Sequence, residues 1–260
     1  MRVPVCGGFT LLTLGNNLLQ KKILITGGTS ALGACFVRQA LGEGARVFFT
    51  YHQHRAEAES LERIGASGFH LDLSVSRNID AFAETFAKQT PALDILIHNA
   101  AAIRDKLLCR MDEDDWDSVM NINLKAPYYL TQKILPLLRA NGADSRKGAK
   151  IFMLISRAAL VGGYGISNYA ASKSGLLGLT KSLARELGKK KILVNAVNPG
   201  FMKSGMTKDL PAEVIERNLR EGLLHDYSDP EEVASFLVYL CSDRMSQVTG
   251  QVFHFESRPV

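Results

Sequence analysis

The chain has 260 residues, 46% of them hydrophobic, enough to bury a sizeable core as a single domain. A formal charge of +5, with basic residues scattered apart from Lys189–Lys191 and Arg146-Lys147 and no aromatic-interleaved basic stripe, argues against nucleic-acid binding and suits an acidic partner or an anionic cofactor. No apolar run reaches the length of a membrane span, and Cys6, Cys35, Cys109 and Cys241 form no Cys-x-x-Cys pair, so neither a membrane anchor, a disulfide framework nor a metal site is expected.

The N-terminal stretch up to Gln20 carries an apolar run, Phe9 to Leu14, but Asn16-Asn17 interrupt it, Arg2 is the only early charge, and no small-x-small cleavage site follows. An N-terminal extension over 1–20 (a hairpin or a disordered arm) is expected rather than a signal peptide, and the expected location is the cytoplasm. Lys22 to Thr26 then predicts a first strand and Ala31 to Gly42 a helix. A second strand follows over Ala45 to Thr50, a helix over Ala56 to Ile64, a short strand over Phe69 to Leu71 and a helix over Ile79 to Lys88. Leu93 to Ile97 reads as a buried strand, Asp115 to Arg139 as one long helix, Lys150 to Ile155 as a strand and Ser167 to Leu187 as a helix. The last strands are expected over Ile192 to Val197 and Val252 to Phe255, with a helix from Pro230 to Cys241 between them. Strands that alternate with helices predict an α/β domain over 21–260, its parallel sheet of about seven strands covered on both faces. The amphipathic segment 203–226 is expected to be either a lid over a substrate cleft or an ordinary surface helix pair.

Thr26-Gly27-Gly28-Thr29-Ser30-Ala31-Leu32-Gly33 joins the first strand to the first helix. Small residues there let the backbone approach a pyrophosphate, whose charge sits at the helix N-terminus. Further on, Ser156, Tyr169 and Lys173 place a hydroxyl, a phenol and an ammonium in one short stretch of chain. Tyr169 and Lys173 are four apart, one turn from each other on one helix face. An ammonium about 4 Å from a phenol, at an effective dielectric of ~20, favours the phenolate by roughly 4 kcal/mol. That is enough to pull the phenol down by up to about 3 pH units before desolvation takes some back, which would poise it for acid–base work. The spacing alone is weak: with seven Tyr and 15 Lys, chance supplies about 0.4 such pairs, and a second one, Tyr129/Lys133, is present.

Thr26-Gly27-x-x-x-Ala31-x-Gly33, Asp72, His98-Asn99-Ala100-Ala101, Asn123, Ser156, Tyr169-x-x-x-Lys173 and Asn198-Pro199-Gly200 occur in the order and spacing of the short-chain dehydrogenase/reductase family, which the chain resembles from about Lys21 to Val252. The interval from Ser156, at the end of a strand, singles out Tyr169; Tyr129 has no such serine before it and reads as a helix-core or interface residue. Ile103 to Met111 with Asp114-Asp115-Trp116, Asn168 to Glu186, and Pro199 to Thr207 resemble 3-oxoacyl-[acyl-carrier-protein] reductases within the family.

The resemblance implies a single Rossmann-type doubly wound sheet with helices on both faces. It also implies a catalytic set of Asn123, Ser156, Tyr169 and Lys173. Ser156 would hydrogen-bond the substrate carbonyl, Tyr169 would donate the proton, Lys173 would hold the nicotinamide ribose and lower the Tyr169 pKa, and Asn123 would anchor a water linking Lys173 to solvent. The implied cofactor-binding residues are Gly27, Thr29, Ser30, Ala31, Leu32 and Gly33 in the loop, and Tyr51, His52 and Arg55 after the second strand. Asp72 and Leu73 would lie near the adenine, with Asp72 alternatively a helix N-cap. Asn99, Ala100 and Ala101 would border the cleft, with Tyr169, Lys173, Pro199, Gly200, Met202 and Ser204 near the nicotinamide. No acidic residue follows the second strand, where one would select NAD, while His52 or Arg55 can face a 2′-phosphate; NADPH is the expected cofactor.

The implied function is reduction of a 3-oxoacyl thioester on acyl carrier protein, in a homotetramer, with Arg185, Lys133 and Arg139 as candidate docking residues for that acidic carrier. The alternatives are a reductase or dehydrogenase acting on a free ketone or alcohol, and a non-catalytic nucleotide-binding partner subunit. The chain departs from the family pattern at Ala31, His98, Ala101, Arg157 and Glu256-Ser257-Arg258.

Overall fold

The computed structural model describes residues 17–142, 148–205, 207–208 and 210–259, without the side chains of 139–142. Its first half runs β1 (Lys22–Ile25), α1 (Ala31–Gly42), β2 (Arg46–Tyr51), α2 (Arg55–Arg63), β3 (Ser67–His70), α3 (Ser76–Gln89) and β4 (Ile95–His98). The second half runs α4 (Glu113–Met120), a π-helical turn (Asn121–Lys125), α5 (Ala126–Gly142), β5 (Ala149–Leu154), a short α6 (Ala158–Val161), α7 (Ser167–Leu187), β6 (Ile192–Asn198), α8 (Ala212–Glu221), α9 (Pro230–Cys241) and β7 (Val252–His254). All seven strands are parallel, in the order β3-β2-β1-β4-β5-β6-β7. The doubly wound sheet expected from the alternation is therefore present. The order reverses between β1 and β4, the switch point at which open α/β sheets form a crevice beyond the strand C-termini.

Alternation along the strands builds two cores, one on each face. Ile23, Ile25, Val47, Phe49, Ile95, Ile97, Phe152 and Leu154 point to one side, where Phe36 and Val37 of α1 and Leu237 of α9 meet them. Leu24, Phe48, Leu96, Ile151 and Met153 point to the other, against Phe86 of α3, Leu130 and Ile134 of α5 and Leu176 of α7. The strands are near-continuous apolar runs because both faces are covered.

Three expectations change. The long helix over Asp115–Arg139 is two helices joined by the π turn at 121–125. Residues 17–20, expected in the extension, pack on the domain: Leu18 is fully buried, and Asn17 donates to the Glu43 carboxylate through its backbone N (2.9 Å) and its amide (3.0 Å). Residues 1–16 of the expected arm lie outside the described residues. In segment 203–226 only one helix, α8, is present among the described residues, so the helix-pair alternative does not describe it. No helix among the described residues is long and apolar enough to cross a membrane, and none of their His, Cys, Asp and Glu side chains group as metal ligands.

Candidate active site

The glycine-rich turn lies at the mouth of the crevice. Gly27 has φ +64°, a conformation L side chains rarely adopt, and a Cβ there would come within 2.9 Å of the Ala100 Cα. A Cβ on Gly33 would run into the Gly27 carbonyl oxygen. Ser30 caps α1 by accepting from the Gly33 N–H at 3.1 Å. The result is a bare backbone concavity at a helix N-terminus, which fits a pyrophosphate. Ala31 and Leu32 open α1, with Ala31 partly exposed at its first position.

Asn99 locks this turn to the end of β4. Its amide Nδ2 is shared among the carbonyls of Thr26 (3.0 Å) and Gly27 (2.9 Å) and the Ser30 hydroxyl (3.1 Å). In return, the Thr26 hydroxyl accepts from the backbone N–H of Asn99 and of Ala100, both at 3.1 Å. The resemblance puts Asn99 beside the cleft; in the structure these bonds tie the end of β4 to the glycine-rich turn.

At the far end of the crevice, Tyr51, His52, His70 and Asp72 gather where β2 and β3 end. The Tyr51 and His52 rings each lie 5.6 Å from His70, and His52 Nε2 stands 4.0 Å from Asp72 Oδ2. Asp72 accepts from the Ser74 N–H (2.9 Å) and hydroxyl (2.6 Å), and these bonds hold its carboxyl below the usual range. The N-cap position of α3 is Val75, with no side-chain capping bond, so Asp72 is not the helix cap the alternative reading allowed. Arg55 opens α2, exposed, and donates to Glu59 at 2.9 Å. On the other side, Pro199 and Gly200 follow β6, with Met202 bridged to Ser228 and the Ser204 N–H donating to the Thr207 hydroxyl at 2.9 Å.

Ser156, Tyr169, Lys173 and Asn123 meet beyond the ends of β4 and β5. Ser156 follows β5; its hydroxyl accepts from the Ala158 N–H at 3.2 Å and lies close enough to the Tyr169 phenol to act on its acidity. Lys173 is buried, one turn along α7; its ammonium donates to the Leu154 carbonyl at 2.7 Å and lies 5.8 Å from the centroid of the Tyr169 ring. This geometry corrects the expected depression of the phenol. Burial pushes Tyr169 up to about 12, with the Asp105 carboxylate adding to the rise and the Ser156 hydrogen bond opposing it, and burial pulls Lys173 down to about 8. The ammonium is turned toward a backbone carbonyl, so desolvation outweighs its attraction for a phenolate.

Asn123 sits fully buried in the π turn. Its Oδ1 accepts from the Ala102 N–H (2.7 Å), and its Nδ2 donates to the Ala102 carbonyl (2.9 Å) and the Ser172 hydroxyl (3.2 Å). It thus fastens the loop after β4 to the helix that carries Tyr169 and Lys173. Asn168, notable in the sequence only as part of a run, is a second such clamp: fully buried, it donates to the carbonyls of Arg104 (3.0 Å) and Asp115 (3.2 Å). His98 is buried beside Lys173 with its Nε2 2.8 Å from the Thr131 hydroxyl; burial, then the Lys173 charge, lowers it to about 3, so its ring is neutral.

The competing pair is placed elsewhere. Tyr129 donates to Asp80 of α3 at 2.8 Å, and Lys133 forms an ion pair with the same carboxylate at 2.6 Å, stacked over the Tyr129 ring. Tyr129 is a helix-packing residue, and the half-exposed ammonium of Lys133 pairs with Asp80. Arg185 is exposed on α7, and the Arg139 side chain lies outside the described residues.

Comparisons with known proteins agree with this architecture. The profile of the family described as "Enoyl-(Acyl carrier protein) reductase" matches residues 27–257. Two 3-oxoacyl-[acyl-carrier-protein] reductases named FabG are similar along nearly their whole length. The one from Thermotoga maritima is 36% identical over 89% of this chain and 94% of its own, and the one from Staphylococcus aureus is 37% identical over 91% and 96%. Among solved structures, the Pseudomonas aeruginosa RhlG/NADP active-site complex superposes with a TM-score of 0.86 at 27% identity, covering 93% of this chain and 97% of that one. A short-chain dehydrogenase/reductase from Serratia marcescens gives 0.84 at 27% identity, covering 93% and 98%. On the family profile and the near full-length relatives, the chain belongs to the short-chain dehydrogenase/reductase family and is an NAD(P)-dependent oxidoreductase of the 3-oxoacyl-[acyl-carrier-protein] reductase type.

Proposed function

We propose that the protein reduces the ketone of a 3-oxoacyl thioester, carried on acyl carrier protein, to the 3-hydroxyacyl thioester with NADPH. The observation that carries this reading is the Ser156 hydroxyl beside the Tyr169 phenol, with the Lys173 ammonium buried one turn along the same helix. When bound, the reduced nicotinamide supplies the hydride that reaches the carbonyl carbon. Ser156 holds the carbonyl oxygen, its hydroxyl lying beside the Tyr169 phenol. Tyr169, still protonated up to about 12, donates its proton to that oxygen as the C=O π bond breaks. Lys173 has three N–H donors and gives one to Leu154, leaving two for a ribose hydroxyl and for the phenolate formed at Tyr169. Asn123 holds the loop and helix in register, and the water expected beside it would return a proton through Lys173.

The pyrophosphate would lie on the 27–33 backbone, held in shape by Asn99. His52 and Arg55 favour a 2′-phosphate, since no acidic residue lies in the stretch 51–55 to receive the ribose hydroxyls. Asp72 and Leu73 would border the adenine, and Pro199, Gly200, Met202 and Ser204 the carboxamide. Residues 203–226, with α8, act as the substrate lid. Arg185 is the exposed cation best placed by sequence to meet an acidic carrier. The family resemblance supports a cytoplasmic homotetramer, and the exposed Tyr128 on α5 and Tyr239 on α9 supply aromatic surface of the kind assembly buries. The test is initial-rate NADPH oxidation with acetoacetyl-acyl carrier protein against small ketones, repeated with NADH. A kcat/KM at least about tenfold higher for the thioester, a gap of roughly 1.4 kcal/mol, supports the reading, and no preference for it overturns the carrier-bound substrate.

A further inference from the structure

Arg157, the residue after Ser156, joins three parts of the chain. Its Nη1 donates to Glu221 Oε2 at 2.9 Å and its Nε donates to the Pro259 carbonyl at 3.0 Å. Glu221 is the last residue of α8, and Pro259 belongs to the tail that follows β7. A second fastening lies one turn back on the same helix. Arg258, 9% exposed, pairs in parallel with Glu256, 3% exposed, through Nη2–Oε2 (2.6 Å) and Nε–Oε1 (2.8 Å), and its Nη1 also donates to Asn218 Oδ1 of α8. The Leu223 N–H donates to the Ser257 carbonyl at 3.0 Å. Across the Arg258 guanidinium lies the Phe201 ring, 5.3 Å away, itself stacked on Tyr227 at 5.2 Å. The tail therefore grips the C-terminal half of the lid segment and the turn after Gly200.

These bonds matter because α8 has little else to hold it. It has ten residues, none of them buried, and a helix of that length is marginal in water without packing. Its position therefore depends on polar fastenings to Arg157 and the tail.

We propose that Arg157 is a positioning residue and that residues 256–259 form a strap, together latching α8 over the substrate mouth. For the lid to open, Arg157 and Glu221 must part, and Arg157 is covalently next to the residue whose hydroxyl holds the substrate carbonyl. Lid closure and Ser156 placement are thereby coupled. The inference rests on the reading of α8 as substrate lid.

The test is hydrogen–deuterium exchange of the α8 amides in the full-length protein, with NADPH binding and thioester kinetics measured in parallel. The variants are Arg157→Ala, Glu221→Gln, Arg258→Ala and the swap Arg157→Glu with Glu221→Arg. For a partly exposed charged pair the expected acceleration of α8 exchange is about three- to tenfold in each single variant, with β5 and α7 unchanged. The thioester KM should rise by a similar factor, NADPH affinity should hold within about twofold, and the swap should recover most of the α8 protection. Exchange of α8 at the wild-type rate in both Arg157→Ala and Glu221→Gln overturns the latch. If Arg157→Ala fails to fold, Glu221→Gln decides alone, because it changes one exposed carboxylate. Loosened α8 in a protein that does not turn over the thioester leaves the latch standing and defeats the proposed substrate; the reverse pattern defeats the latch only.

Discussion

The Lys173 ammonium donates to the Leu154 carbonyl at 2.7 Å and stands 5.8 Å from the centre of the Tyr169 ring. In the proposed mechanism the pair acts as a protonated acid beside a buried cation. The phenol keeps its proton up to about 12, and the ammonium is the group that titrates first, near 8.

A pH profile follows from that order. Burial lowers Lys173, so its neutral form appears as pH rises through about 8, and a neutral amine cannot steady the phenolate left after proton transfer. In the reductive direction, kcat/KM should be flat below about 8 and fall about tenfold per pH unit above it, a slope set by one ionisation. Rates measured across the neutral and alkaline range check this; a profile that stays flat well above the Lys173 value would mean the charge on Lys173 is not required.

Tyr129→Phe removes the phenol of the competing Tyr-x-x-x-Lys pair, whose hydroxyl donates to Asp80. Turnover should stay near wild type, while urea unfolding should show a loss of about 1 kcal/mol for one partly exposed bond to a carboxylate. A large loss of rate with the fold intact would give Tyr129 a part in the chemistry.

Asn99→Ala deletes the amide shared by Thr26, Gly27 and Ser30. The loop that would receive the pyrophosphate loses its link to β4, so NADPH affinity measured by fluorescence titration should weaken by about tenfold or more, on the order of 1.4 kcal/mol for a lost positioning network. Unchanged affinity would show that the loop holds its shape without the asparagine.

Asn123→Ala leaves the N–H and carbonyl of Ala102 without their partner in a partly buried setting. A destabilisation of about 2–4 kcal/mol is expected, with a fall in kcat as the register between loop and α7 loosens. A stability near wild type by denaturant unfolding would contradict the clamp.

Much of this is legible in the sequence because it is written in local chemistry. The expected bounds of α1, α7 and α9 match the observed Ala31–Gly42, Ser167–Leu187 and Pro230–Cys241, with Ser30 and Asp229 capping two of them and Gly188 ending the third. The β-α alternation carries the sheet, and the interval from Ser156 separates Tyr169 from Tyr129. What escapes depends on contacts between distant segments. The π turn at 121–125 inserts one residue into a continuous apolar period, and its distant partners Ala102 and Ser172 explain why Asn123 turns inward. Arg157 stands out in the sequence as a departure beside the acyl entrance, but its partners do not, since Glu221 and Pro259 lie 64 and 102 residues away. The direction of the Tyr169 shift escapes for a similar reason: spacing brings Lys173 within one turn, but does not say which acceptor its ammonium takes.

The most direct test of the account is single-turnover oxidation of bound NADPH by acetoacetyl-acyl carrier protein in Tyr169→Phe, with NADPH affinity measured on the same sample. The account predicts loss of at least about a thousandfold in rate, some 4 kcal/mol of barrier, with affinity within about twofold of wild type. Turnover that survives the substitution would contradict it.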